Sequence, residues 1–188
     1  MKKLLWVDLE MSGLDDTRDV IMEVAAVVTD LELKPLEQYD QVVFQPPEIL
    51  EQMHPWCVDH HGKSGLTQAC AGGVPLDRVE QELMGLIKRH HGPGEKIVIA
   101  GNSIGTDRRF IDRWMPRVAA RLHYRMLDVS SFKVIFQSMY GMRFKKSKAH
   151  RAVEDILESI GELKHYLQFI KVPEKHAAVD PTEDEATG

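Results

Sequence analysis

Apolar residues recur along this chain in two rhythms, and the switch between them lays out the elements. Residues 4–10 (LLWVDLE), 20–29 (VIMEVAAVVT) and 39–45 (YDQVVFQ) are aliphatic and β-branched runs separated by turn-forming residues. They predict three strands joined by short links, hence an antiparallel meander. Residues 46–66 (PPEILEQMHPWCVDHHGKSGL) mix proline, glycine and histidine with isolated apolar residues, which predicts short helices and exposed loop, where ligand contacts often sit. From Pro75 the spacing lengthens. Leu76, Val79, Leu83, Leu86 and Ile87 recur at three- and four-residue intervals until "HHGPG" breaks the pattern, so a helix is expected. A strand KIVIAGN (96–102) then leads into a helix near "DRRFIDRWM", and "YRMLDV" (124–129) into another near "SFKVIFQSM". Two strand-then-helix units favour parallel pairing. A final amphipathic stretch runs from about Ala149 to Ile170, with Val153, Ile156, Ile160, Leu163 and Leu167 on one stripe, and Pro173 stops it. The expected class is α/β, a mixed five-stranded sheet flanked by helices.

Composition narrows the setting. The 188 residues are 43% hydrophobic and 28% charged, the profile of a globular domain with a core of ordinary size. Residues 1–172 are expected to form one domain. Residues 173–188 form an acidic tail with too little apolar content to bury, expected to be disordered. That tail carries most of the net charge of −5, so the acidic balance does not exclude a nucleic-acid partner. The N-terminal "MKKLLWVD" is too short in apolar residues for a signal-peptide core, and no run reaches the ~18 apolar residues of a membrane span. A cytoplasmic location away from membranes is the expectation. Cys57 and Cys70 have no metal-type spacing and read as buried, idle thiols.

The candidate chemistry starts at "WVDLEMSGLD", residues 6–15. Alternation in a strand turns Asp8 and Glu10 to the same face, about 7 Å apart along the chain. Two like charges so placed repel unless something positive lies between them. A solvated strand end would also account for them, since roughly four such acid-x-acid pairs are expected by chance at this acid content. The "MSGL" that follows offers a tight turn whose backbone can approach a ligand. Asp107, in "VIAGNSIGTDRRF", falls in a helix's first turn at the carboxyl edge of the sheet, either as a site residue or as a helix cap; Ser103 is a cap or a phosphate donor. In "SKAHRAVEDILESI", His150 and Asp155 are five residues apart, a turn of about 140° on one helix. Both can reach one site only if His150 lies on the loop or first turn. Taken alone, His150 also reads as part of the basic run RFKKSKAHR and Asp155 as a residue of the helix's wet face. As a set, four carboxylates and a histidine suit Mg²⁺ or Mn²⁺ with water and a substrate phosphate. Two such ions ~4 Å apart can activate a water, and a neutral histidine is a suitable base for it.

The order D-x-E, then D, then H-x4-D resembles the DEDDh class of 3′-to-5′ exonucleases, built on a ribonuclease H-like fold. More closely, "WVDLEMSGLD", "AGNSIGTDRRF", "YRMLDVSS" and "HRAVEDILESI" are similar to the oligoribonucleases, over about Leu4 to Leu167. The resemblance implies cleavage of very short single-stranded RNA, down to 5′-phosphorylated dinucleotides, to nucleoside 5′-monophosphates. It implies that Asp8, Glu10, Asp107 and Asp155 hold two divalent ions, with His150 as the base. It also implies that Leu14 wedges between bases while Trp56 stacks on one, and that a histidine of the adjacent pair faces substrate, here assigned to His61 rather than His60. Ser103, Arg125 and Ser130 would cap the 5′ phosphate, for which an arginine fork is suited. Tyr124 would reach a partner subunit's site, so a homodimer is expected. Cys57 departs from the pattern, standing where relatives are expected to have a polar amide. Five Lys/Arg between Arg143 and Arg151 could attract phosphates or form a solvated loop. Another DEDDh enzyme acting on DNA or longer RNA, or a binding module without chemistry, are the competing readings.

Overall fold

Strand β1 (Lys3–Met11) is the spine of the protein, and both of its faces are covered. The computed structural model describes residues 2–145 and 152–171. β1 pairs antiparallel with β2 (Ile21–Asp30), which pairs antiparallel with β3 (Pro35–Val42). On its other side β1 runs parallel to β4 (Ile97–Gly101), and β4 parallel to β5 (Leu122–Asp128). The sheet is therefore mixed and five-stranded, in the order β3-β2-β1-β4-β5.

The helices follow in chain order: α1 (Pro47–Leu50), α2 (Pro55–Ser64), α3 (Leu66–Ala69) and α4 (Leu76–His90), then α5 (Gly105–Trp114), α6 (Pro116–Ala119), α7 (Val129–Tyr140) and α8 (Ala152–Leu167). Odd-numbered Leu5, Val7 and Leu9 of β1 pack with Val79, Leu83 and Phe110 of α4 and α5. Even-numbered Leu4 and Trp6 pack with Ile156, Ile160 and Leu163 of α8. This two-sided burial is why β1 and β2 read as nearly continuous apolar runs. No helix among the described residues is long and apolar enough to cross a membrane.

Three expected boundaries move. β3 starts at Pro35 and ends at Val42, earlier than the apolar letters of 39–45 suggest. Pro35 is tolerated because it opens an edge strand, while Val43, whose N–H still donates to the Met22 carbonyl of β2 at 2.8 Å, bridges to Val74, and Phe44 N donates to the Val74 carbonyl at 2.9 Å. On α8 the stripe holds through Leu163, but Leu167 is exposed and Tyr166 is buried instead. β5 starts at Leu122, two residues before the expected YRMLDV, and Arg125 lies within it. Both cysteines are buried and free, as their spacing suggested.

One buried charge supports the frame. Glu80 of α4 accepts from Arg117 N at 2.6 Å, Val118 N at 3.2 Å and Arg117 Nε at 2.7 Å, satisfying the start of α6. Glu80→Ala strands those amides and is expected to cost about 3 kcal/mol. That corresponds to a fall of roughly 6–12 °C in Tm, and an unchanged Tm by calorimetry would contradict it.

Candidate functional site

The even-numbered face of β1 that packs against α8 carries two residues beyond Trp6, Asp8 and Glu10, and both are half-buried. Asp155 stands in the first turn of α8 beside the core residue Ile156, facing the same layer. One carboxylate oxygen from each of Asp8, Glu10 and Asp155 lies within 4.8 Å of the others. The rotation of α8 is fixed nearby: Asn102, just past β4, donates to Ser159 Oγ at 2.7 Å, and Ser159 Oγ donates to the Asp155 carbonyl at 2.9 Å. Asp107 reaches the group from α5. Where β4 has ended, the Leu9 N–H has no strand partner on that side, and it donates to Asp107 Oδ1 at 2.9 Å. The carboxylate thus substitutes for a missing ladder bond and is itself buried.

Crowding and burial shift these acids upward. Burial first, then Asp107, Glu10 and Asp155, push Asp8 up to about 8. Glu10 rises to about 7 through burial and the charge of Glu23. Burial pushes Asp107 up to about 7, opposed by the bond from Leu9. An all-oxygen donor set held together against its own repulsion is chemically fitted to a hard divalent cation. Because the folded chain keeps protons that the unfolded chain would already have lost near their ordinary values of 3.8 and 4.5, folding binds protons and stability falls as pH rises from about 5 to 8. The expected result is that Tm in chelator declines over this range, and that the Tm gained on adding Mg²⁺ or Mn²⁺ grows with pH. A gain independent of pH would show that the carboxylates do not take the ion.

Beside the carboxylates opens a cavity of about 640 Å³ whose walls include Glu10, Met11, Leu14, Trp56 and His61. Leu14 and Trp56 are 71% and 62% exposed, large apolar surfaces left to solvent at the mouth. The turn presenting Leu14 is held by Asp15 N donating to Asp19 Oδ2 at 2.9 Å, and a Cβ on Gly13 would collide with that carboxylate. Trp56 sits in the first turn of α2, where Pro55 starts the helix and the His54 ring accepts from Trp56 N at 3.3 Å. His61, in contrast, is buried, its Nε2 2.9 Å from the Met11 carbonyl oxygen. Burial lowers its imidazole below the ordinary 6.5.

At the carboxyl ends of β4 and β5, Ser103 and Ser130 meet. Ser103 N donates to Ser130 Oγ at 2.8 Å and to Asp128 Oδ1 at 2.9 Å, and the two hydroxyls are 3.1 Å apart. Ser103 has φ of 53°, a left-handed conformation uncommon for a serine and held here by those bonds. Arg125 lies over the Tyr124 ring, its guanidinium carbon 5.2 Å from the centroid, and Tyr124 is 73% exposed. His150 and most of the basic run 143–151 lie outside the described residues.

Sequence reasoning passed over Glu23, Asn102 and Asp128. Glu23 is buried opposite Glu10 in the β1–β2 register. Its signal was a lone acid inside the apolar run VIMEVAAVV. Asp128 left a weaker signal, an acid at a strand-to-helix junction, where it caps α7 by accepting from Ser130 N at 2.9 Å.

Comparison with known proteins agrees with this geometry. A family model described as "Exonuclease" matches residues 5–163. The human protein named "Oligoribonuclease, mitochondrial" is 40% identical over 183 residues, 93% of this chain and 77% of its own length. An oligoribonuclease of Corynebacterium glutamicum is 44% identical over 98% of this chain and 87% of its own length. Among solved structures, exonuclease I of Methylocaldum szegediense superposes with a TM-score of 0.69 at 18% identity over 89% of this chain, which spans 40% of that larger protein.

Proposed function

The chain belongs to the exonuclease family, and within it to the oligoribonucleases, and on that premise we propose that it hydrolyses very short single-stranded RNA from the 3′ end, with a preference for 5′-phosphorylated dinucleotides. The observation that carries the reading is the convergence of Asp8, Glu10 and Asp155 beside a cleft edged by Leu14 and Trp56. Membership makes the chain a nuclease, and the family and the donor set imply divalent metal ions.

In the proposed mechanism Asp8, Glu10, Asp107 and Asp155 would hold two ions, Mg²⁺ or Mn²⁺. When bound, such ions lower the pKa of a water and offset charge on the phosphate. His150 takes the proton of the attacking water as its oxygen bonds to phosphorus. The bond from phosphorus to the 3′ oxygen of the preceding nucleotide breaks, that oxygen takes a proton from solvent to become a 3′ hydroxyl, and the terminal nucleotide leaves as a 5′-monophosphate. Leu14 enters between the two bases and Trp56 stacks on one, which suits bases because every base offers an apolar face; His61 lines the same wall. Ser103, Ser130 and Arg125 receive the 5′ phosphate. A cap at that end acts as a ruler, because a longer RNA has no free phosphate there.

The same proposal takes residues 1–172 as one exonuclease domain and 173–188 as an acidic tail, and places the protein in the cytoplasm. It also makes the active form a homodimer, with Tyr124 reaching the partner's cleft. Exposed Tyr124 and Met126 on β5, and Val134 and Met139 on α7, support that pairing.

The test is single-turnover cleavage of 5′-phosphorylated RNAs of two to seven nucleotides with magnesium. A steep preference for the dinucleotide, lost in Arg125→Ala, is expected. Flat rates along the series would indicate an open channel and a different biological substrate.

A further inference from the structure

Glu10 faces two ways. Toward α8 it meets Asp8 and Asp155; toward α2 it meets two imidazoles, and one ligand atom from each of Glu10, His60 and His61 lies within 4.8 Å of the others. The His61 ring has its proton assigned by its surroundings. Nε2 is 2.9 Å from the Met11 carbonyl oxygen, and a carbonyl only accepts, so Nε2 carries the hydrogen and Nδ1 is a bare lone pair. That Nδ1 is buried and has no hydrogen-bond partner among the described residues. Facing it 3.9 Å away is Glu10 Oε2. With Glu10 ionised, two acceptors confront each other at a distance that leaves room for a cation and makes no hydrogen bond.

The neighbouring groups complete the arrangement. His60 is held on the same side by stacking on Trp56, with ring centroids 4.7 Å apart and planes 13° from parallel. Glu23, buried opposite Glu10, shares with it and His60 a pocket of about 100 Å³ and adds negative charge. Two imidazole nitrogens and one carboxylate are the donors that zinc takes; magnesium prefers oxygen alone.

We propose that Glu10, His60 and His61 form a second cation site, selective for a divalent transition ion of the zinc type, and that an ion held there draws Glu10 away from Asp8 and Asp155 and so inhibits the nuclease. The binding half stands on the geometry alone; the inhibitory half rests on the nuclease reading above. Glu10 is the only residue common to both sets, so the two ions compete through it rather than for the same position.

The experiment uses the full chain, stripped of metal and then saturated with magnesium, in wild-type, His60→Ala and Asp155→Ala forms checked for folding by circular dichroism. Zinc is titrated against a chromophoric zinc indicator, and in parallel into magnesium-driven RNA cleavage by the wild type and His60→Ala. Asp155→Ala is expected to take up zinc at least as tightly as wild type, since magnesium then competes less for Glu10, and His60→Ala to bind it ~10-fold or more weakly. Zinc is expected to inhibit wild-type cleavage, with the inhibitory concentration raised by the same factor in His60→Ala. Equal zinc affinity in wild type and His60→Ala would overturn the site, as would uptake lost in Asp155→Ala and kept in His60→Ala. Uptake that depends on His60 without inhibition would overturn the coupling through Glu10. Absence of RNA cleavage in the wild type before zinc is added would be a failure of the nuclease reading, and the indicator titration would still decide the site.

Discussion

Asp155→Ala is expected to lower turnover by ~10³-fold or more, equivalent to about 4 kcal/mol of transition-state stabilisation, while the chain stays folded. The side chain is half-buried at the start of α8, one residue before the core contact of Ile156, and the Ala variant removes a carboxylate without opening the apolar layer. Its backbone carbonyl still accepts from Ser159, so the tie between α8 and the end of β4 survives. Removing one of three acids that lie within 4.8 Å of each other also relieves repulsion, so the metal-free variant should unfold no earlier than wild type. Single-turnover cleavage and a melting curve in chelator check both halves. A folded variant with wild-type turnover would overturn the proposed role of this carboxylate, and with it the four-carboxylate site.

The second large effect is expected at His150, whose place in the proposal is the proton of the attacking water. General bases contribute on the order of 10²–10⁴-fold, so His150→Ala should lose that much in turnover with dinucleotide affinity nearly unchanged. The wild-type rate should rise with pH as the base loses its proton, and the variant should lack that limb. Equal losses in turnover and affinity would make His150 a binding residue, and an unchanged pH profile would remove it from proton transfer.

What the sequence made legible follows from periodicity. A period of two puts Asp8 and Glu10 on the face shared with Trp6, and the helical stripe of α8 carries Asp155 at its margin beside Ile156, so strand and helix parity already point these acids at one layer. Positions set by tertiary company left little trace. Glu23 matters because the β1–β2 register sets it opposite Glu10, and register is not a property of either strand alone. The left-handed turn at Ser103 is held by Asp128 and Ser130, 25 and 27 residues away. The strand ends before the apolar letters do because Val43 is buried against a different segment while the Phe44 side chain is exposed, and apolar letters alone do not say which neighbour they serve.

The bond from the Leu9 amide to Asp107 Oδ1 has a practical consequence. A backbone proton pointed at a carboxylate feels that group's charge, so the Leu9 resonance in a ¹⁵N-correlated spectrum should move as Asp107 loses its proton or gains an ion. It lies between Asp8 and Glu10 in the chain yet belongs to the core strand, protected from exchange with solvent. One resolved peak would therefore follow loading of the centre in real time, with no RNA present and no fluorophore attached near the cleft.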